Sequence, residues 1–290
     1  MAIIDVQNLS VTFKGKKSAS QIVKNVSFQV EKGECLCILG ESGSGKSMTM
    51  KSIMGLLDHT FSVEGQASLE GQDLITASKE ELRQMRGKNM TMILQNPMVC
   101  FDSLYRIDYQ MNETFEEHTD WSKEEIHAKS IEILEKMQIR SPQEVLKKYP
   151  HQLSGGMLQR IMIGIAIALD PKILIADEPT TAIDSITQFE IMKEFERLKQ
   201  QGVTMIFITH DLGVASMIAD KIIVMNKGEI VDRGTFEEIK KNQKDEYTKH
   251  LVSQKMRVME AYKKALGKDK NSEIAVTSTG DLEIGGVTVD

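Results

Sequence analysis

The order of apolar and polar positions along the chain predicts strands interleaved with helices. Residues 3–6, 9–13 and 26–30 alternate like half-exposed strands, the last ended by the turn residues Glu31-Lys32-Gly33-Glu34. Residues 35–39 are a continuous apolar run between turn residues, which suits a strand buried on both faces. Residues 90–94, 173–176, 204–209 and 222–225 have the same character. Helical patterns fill the gaps. One follows the glycine-rich segment 40–47 and runs through residue 57, and a charged one covers 79–86. A long helical region spans about 105–148, with breaks at Asp120 and at Ser141-Pro142. Residues 156–169 and 185–200 follow it. Weaker strand signals occupy 64–74, and Asn226-Lys227-Gly228-Glu229 is a tight turn into Ile230-Val231. Strands that alternate with helices argue for a parallel sheet. After Gly267 the chain turns polar, yet Leu282 and Ile284 alternate before Gly285-Gly286, and Val287 and Val289 alternate after it. That pattern predicts a hairpin, which needs something to pair with to be stable.

Length and composition narrow the class. A chain of 290 residues suits one large α/β domain or two small ones. Its net charge of −6 gives no support for nucleic-acid binding. No run of 18 or more apolar residues occurs, so no membrane-spanning helix is expected. Residues 1–6 show no basic segment leading into an apolar run, so no secretory signal is expected. The cysteines are Cys35, Cys37 and Cys100, an odd and low count that suggests a reduced, cytosolic setting. Cys35 and Cys37 share one strand, but a closed metal site needs three or four ligands and no matching pair accompanies them. Met85, Met90, Met92 and Met98 read as core.

Chemistry enters at Gly40-Glu41-Ser42-Gly43-Ser44-Gly45-Lys46-Ser47, which fits G-x-x-x-x-G-K-[ST]. The glycines let backbone N–H groups curl around phosphate oxygens, and the following helix turns its positive end to the anion. Lys46 reaches the β- and γ-phosphates, Ser47 ligates Mg²⁺, and Met48 continues the phosphate-facing backbone into the helix. A buried strand before the motif and a helix after it supply the required context. The loop alone leaves the class open, since kinases, GTPases and other machines share it. Residues 173–178, Ile-Leu-Ile-Ala-Asp-Glu, form an apolar strand ending in two carboxylates. Strand carboxyl ends in a parallel sheet face the ligand crevice. Asp177 suits the Mg²⁺ shell, and Glu178, pointing elsewhere, suits polarisation of an attacking water. Two solvated acids at a strand exit also fit the pair taken alone. Further on, Leu153-Ser154-Gly155-Gly156-Met157-Leu158-Gln159-Arg160 opens a helix, and Ser154, Gly155 and Gly156 make a second anion-binding helix N-terminus.

With these motifs in order, residues 3–252 resemble the ABC (ATP-binding cassette) ATPase family. Gln95 stands at the family's Q-loop position. Thr181-Ala182-Ile183-Asp184 stands at the D-loop, where the family usually has Ser-Ala-Leu-Asp. His210 follows the strand 204–209, and Phe13 matches the aromatic position that stacks on adenine. The resemblance implies an α/β P-loop NTPase fold. That fold is an ABC cassette with a RecA-like core, an antiparallel β subdomain and an inserted α-helical subdomain over about 105–152. Residues 253–290 would then be a C-terminal helix and appendage. It implies ATP and Mg as cofactors, with Gln95 sensing the γ-phosphate or Mg²⁺ and His210 holding the γ-phosphate. It further implies a head-to-tail dimer in which Ser154–Gly156 of one subunit complete the partner's site and Asp184 contacts the partner. The bland alternatives are a strand-end histidine, a surface amide and a core phenylalanine.

A single cassette without coiled coils or zinc hooks resembles the stand-alone ATPases of bacterial importers. Their partners are a second ATPase subunit, two integral membrane permease subunits and an extracytoplasmic binding protein, and their seat is the cytoplasmic face of the membrane. A soluble ABC ATPase acting on nucleic acid or ribosomes is the distant alternative, disfavoured by the absence of a second cassette. Gln95-Asn96-Pro97-Met98, Ser154-Gly155-Gly156-Met157, Thr209-His210-Asp211-Leu212 and Leu251-Val252-Ser253 resemble the peptide/nickel group. Peptide members usually read Gln-Asp-Pro and Gly-Gly-Met-Arg-Gln-Arg. Asn96, Leu158 and the lack of a cysteine after Cys100 look more like nickel-import members. Peptide import stays open as the alternative.

Overall fold

The computed structural model describes residues 2–15, 18–181, 183–254, 283–284 and 287–288. Two sheets and a set of helices enclose three apolar clusters. The first sheet is antiparallel, with strand order β2-β1-β4-β5, from β1 (Ala2–Lys14), β2 (Ala19–Glu31), β4 (Phe61–Leu69) and β5 (Gln72–Asp73). The sequence suggests two strands where β1 is one. Its apolar phase shifts from Ile4 and Val6 to Leu9 and Val11, all buried, because a bulge intervenes. Asn8 has φ 50° and the pairing slips between Val6 and Leu9, so one extra residue restores the buried face.

The second sheet has order β10-β9-β3-β8-β7-β6, from β3 (Cys35–Leu39), β6 (Met90–Ile93), β7 (Ile173–Asp177), β8 (Thr204–Thr209), β9 (Lys221–Asn226) and β10 (Glu229–Gly234). All neighbours are parallel except the β9–β10 edge. The continuous apolar runs have a plain cause. Ile173 and Ile175 of β7 join one cluster with Ile206 and Ile208 of β8, while Leu174, Ala176, Met205 and Phe207 join another on the opposite face. Both faces are covered, so neither can be polar.

Helix α1 (Lys46–Ile53) follows β3 directly, and α2 (Lys79–Met85) begins with a Ser78/Glu81 capping box. The helical region between β6 and β7 comprises α3 (Ile107–His118), α4 (Lys123–Lys136), α5 (Pro142–Leu146) and α6 (Gly155–Ala168). The break before α5 begins earlier than the Ser141-Pro142 pair suggests, with Gln138 at φ 54° after the end of α4. Gly164 lets α6 meet α4 closely, since a Cβ there would lie 2.5 Å from Ile133 Cγ2. Helices α7 (Ser185–Gln200), α8 (Leu212–Ile218) and α9 (Phe236–Lys241) pack on the second sheet's side, and a further helix, α10, covers residues 246–254. Strands β11 (Glu283–Ile284) and β12 (Val287–Thr288) pair antiparallel as the hairpin pattern predicts, while Gly285-Gly286 and the remainder of 255–290 lie outside the described residues. Among the described residues, no helix is long and apolar enough to cross a membrane.

Candidate active site

The carboxyl ends of β3, β6, β7 and β8 bring the sequence motifs to one edge of the parallel sheet. Between β3 and α1, Gly40 is required by crowding: a Cβ there would lie 2.3 Å from the Met225 carbonyl oxygen and 2.7 Å from Ser44 Oγ. Gly45 is the N-cap of α1 at φ 101° and no side chain caps the helix, which leaves first-turn N–H groups for a ligand. Glu41, Ser42 and Gly43 are exposed, Ser44, Gly45 and Lys46 are buried, and Ser47 and Met48 are half-buried. Lys46 Nζ donates to the carbonyl oxygens of Gly40 and Glu41, each at 2.8 Å, and approaches Ser44 Oγ at 3.4 Å. Burial pulls its pKa down, opposed by the charges of Glu178, Asp177 and Glu41.

Asp177 ends β7 and is 2% exposed. Its Oδ1 accepts a hydrogen bond from Ser47 Oγ at 2.8 Å. Burial pushes the carboxyl above its ordinary range and Glu178 adds to this, while the Ser47 bond, Lys51 and Lys46 pull it down. A hydroxyl and a buried carboxylate side by side form a hard-oxygen donor set that fits Mg²⁺.

Glu178 leaves the strand in the left-handed region at φ 47°, with its amide donating to the Ile208 carbonyl at 2.9 Å. Such a conformation costs about 1–3 kcal/mol for a residue other than glycine. It turns Glu178 away from Asp177 and into a separate cluster. Glu178 Oε2 accepts from Gln95 Nε2 at 3.0 Å and Thr181 Oγ1 at 3.1 Å, and lies 3.2 Å from His210 Nδ1. Gln95 follows β6 and His210 follows β8, so three segments converge on one carboxylate oxygen. Thr181 has no separate part in the sequence reading; its three-residue spacing from Glu178 across a turn is the signal that marks it.

The remaining candidates lie elsewhere on the chain. Phe13, 37% exposed at the end of β1, tilts against Phe61 with ring centroids 5.3 Å apart, so it is not the core residue of the bland alternative. Ser154 caps α6 by accepting the Met157 amide at 3.2 Å. Ser154 and Gly155 are exposed and Gly156 is half-buried. Among the described residues, no hydrogen bond joins 154–156 to the loop at 40–48. Two further contacts tie this helix down: Arg160 Nη1 donates to the Gln138 carbonyl at 2.8 Å, and buried Gln159 reaches the Leu94 carbonyl at 3.4 Å. Asp184 is exposed and caps α7 by accepting the Thr187 amide at 3.0 Å, a bond that lowers its pKa. Ala182 of the same segment lies outside the described residues.

Comparison with known proteins gives the family. The ABC transporter family model matches residues 23–181. The metal-staphylopine import system ATP-binding protein CntD of Staphylococcus aureus is 40% identical over 270 residues, spanning 93% of this chain and 99% of that protein. The dipeptide transport ATP-binding protein DppD of Haemophilus influenzae is 42% identical over 254 residues, spanning 87% of this chain and 77% of that protein. Among solved structures, the dimeric post-hydrolysis state of the ATP-binding cassette MJ0796 bound to ADP and Pi superposes with a TM-score of 0.73 at 28% identity, covering 80% of this chain and 98% of that one. A matched family model over more than half of the chain, a near full-length relative and a shared fold lead to one conclusion: the chain belongs to the ATP-binding proteins of the ABC transporter family.

Proposed function

We propose that this chain is the ATP-hydrolysing subunit of an importer that carries a transition metal, nickel or a related ion, free or on a small chelator. The observation that carries the hydrolytic part is the convergence of Gln95, Thr181 and His210 on one oxygen of Glu178. In this reading the backbone of residues 40–48 and Lys46 bind the ATP phosphates. Ser47, Asp177 and Gln95 hold Mg²⁺, which when bound neutralises charge on the phosphate oxygens. Phe13 offers its open ring face to adenine. Glu178 takes a proton from water as the water oxygen attacks the γ-phosphorus, and the bond to the leaving ADP oxygen breaks. His210 holds the γ-phosphate and keeps Glu178 oriented.

The cassette works as a head-to-tail pair with a second ATPase subunit. Ser154, Gly155 and Gly156 complete the partner's nucleotide site, and Asp184 touches that partner. Two integral membrane permease subunits, met by this chain at the cytoplasmic face of the membrane, and an extracytoplasmic binding protein make up the rest. In this reading an ATPase domain covers 1–252 and an appendage 253–290, a boundary that falls inside α10 (246–254), so the described part of that helix belongs with the ATPase domain.

The cargo reading draws on Asn96 and Leu158 and on the near full-length similarity to a metal-staphylopine import ATPase. The peptide reading draws on the 42% identity to DppD. Uptake of labelled nickel, supplied free and with a small amino-acid-derived chelator, separates them when cells with and without the subunit are compared against labelled dipeptide. Loss of dipeptide uptake with metal uptake intact would overturn the metal assignment.

A further inference from the structure

The phosphate loop is also held from outside, by a residue that the proposed chemistry does not use. Tyr247 lies on α10, and its ring packs against the cluster formed by Cys37, Leu39, Leu212 and Val224. Its hydroxyl oxygen accepts the Glu41 amide hydrogen at 2.7 Å, across 206 positions of sequence. The seat of this ring is itself fixed. Asp232 on β10, 5% exposed, accepts the amides of Lys244 at 3.2 Å and Asp245 at 3.0 Å. Asp245 Oδ1 in turn accepts the Tyr247 amide at 2.8 Å. A buried carboxylate therefore anchors the turn, the turn caps the helix, and the helix aims one hydroxyl at one peptide of the loop.

Glu41 is gripped on both sides. Its N–H goes to Tyr247, and its carbonyl accepts from Lys46 Nζ at 2.8 Å. A lysine that turns to a phosphate must let go of the Glu41 and Gly40 carbonyls. Among the described residues, the Tyr247 bond is then the side-chain hydrogen bond remaining on the Glu41 backbone.

We propose that Tyr247 is a positioning residue for nucleotide binding, whose hydroxyl keeps the Glu41 peptide oriented while Lys46 exchanges loop carbonyls for phosphate oxygens. The inference rests on residues 40–48 being the nucleotide site. Tyr247 touches no phosphate, so its effect falls on affinity and leaves the chemical step alone.

Tyr247→Phe tests this, because it keeps the ring in its apolar seat and removes only the hydroxyl. Three quantities are measured on the full chain: Kd for a non-hydrolysable Mg·ATP analogue, kcat and KM for ATP, and the thermal midpoint without nucleotide. Glu41 is exposed, so water satisfies its amide in the variant and the nucleotide-free midpoint stays within about 1 °C. Kd and KM rise by about threefold to tenfold, the range for one lost hydrogen bond, with kcat within about twofold. Tyr247→Leu, which also empties the ring's seat, lowers the midpoint as well. An unchanged Kd in Tyr247→Phe overturns the inference and leaves the nucleotide site standing, as does a lowered midpoint with unchanged Kd. A wild-type chain that fails to bind the analogue removes the nucleotide site and the inference together.

Discussion

Gly40 and Gly155 stand at the two glycine-rich helix entrances of this chain, in opposite surroundings. A Cβ on Gly40 would lie 2.3 Å from the Met225 carbonyl oxygen, whereas one on Gly155 would meet nothing within 4 Å. The first loop is filled from within: Lys46 ties its carbonyls, Ser47 ties it to Asp177, and Tyr247 ties it to α10. The second has its capping serine and an exposed surface. Gly40 is required by the packing of its own chain, whereas nothing in its own chain crowds Gly155, which leaves room at the entrance of α6 for the second subunit of the proposed pair.

The largest expected effect is that of Glu178→Gln, just past the end of β7 on the same sheet edge as the first loop. Turnover falls by about 10²–10⁴-fold while Mg·ATP binding survives, read by single-turnover hydrolysis beside equilibrium binding. Turnover near the wild-type rate would remove Glu178 from the chemistry. Gly40→Ala comes next. Overpacking against Met225 and Ser44 destabilises the chain by about 1–3 kcal/mol and weakens nucleotide binding in a single copy, measured by urea unfolding and by titration. Gly155→Ala should behave in the opposite way. Alanine favours the helix by up to about 1 kcal/mol, so the midpoint does not fall and single-chain nucleotide affinity holds, yet turnover drops about tenfold because the pair closes poorly. Equal losses of single-chain binding in Gly40→Ala and Gly155→Ala would erase the contrast between the two regions.

The smallest effect belongs to Asp177→Asn. Burial raises the Asp177 pKa in the folded chain, so its contribution to stability is present below the unfolded value of 3.8 and is lost as pH rises through the raised value. The ionised carboxylate thus costs stability at neutral pH. Asparagine keeps an oxygen for Ser47, and the nucleotide-free midpoint at pH 7 rises by about 1–2 °C while Mg²⁺-dependent nucleotide binding weakens. A midpoint that falls at pH 7 would contradict the assigned cost.

Much of this molecule was legible in the residues. The continuous runs at 35–39 and 204–209 coincide with β3 and β8, and 185–200 coincides with α7. The two strands are readable because burial on both faces leaves no polar position to confuse the pattern, and α7 because its apolar positions recur at helical spacing. The bulge at Asn8 was not legible, because a one-residue phase shift looks like a strand end until a partner strand restores the register. The positions of the loop motif, the paired carboxylates and the Ser-Gly-Gly run were equally visible, since each is a local requirement on backbone or charge.

The sequence by itself determined where the glycine-rich loop and the paired carboxylates stand, which strands are buried and where helices such as α2 and α7 begin, because glycine geometry, apolar periodicity and capping act within a few residues. Only the tertiary structure decided that Gln95 reaches Glu178 across 83 positions, that Thr181 joins them, and that Tyr247 holds Glu41 across 206. Those contacts depend on strand order in the sheet and on where the chain returns after β10. No local pattern encodes the distance between segments that meet only once the core has closed.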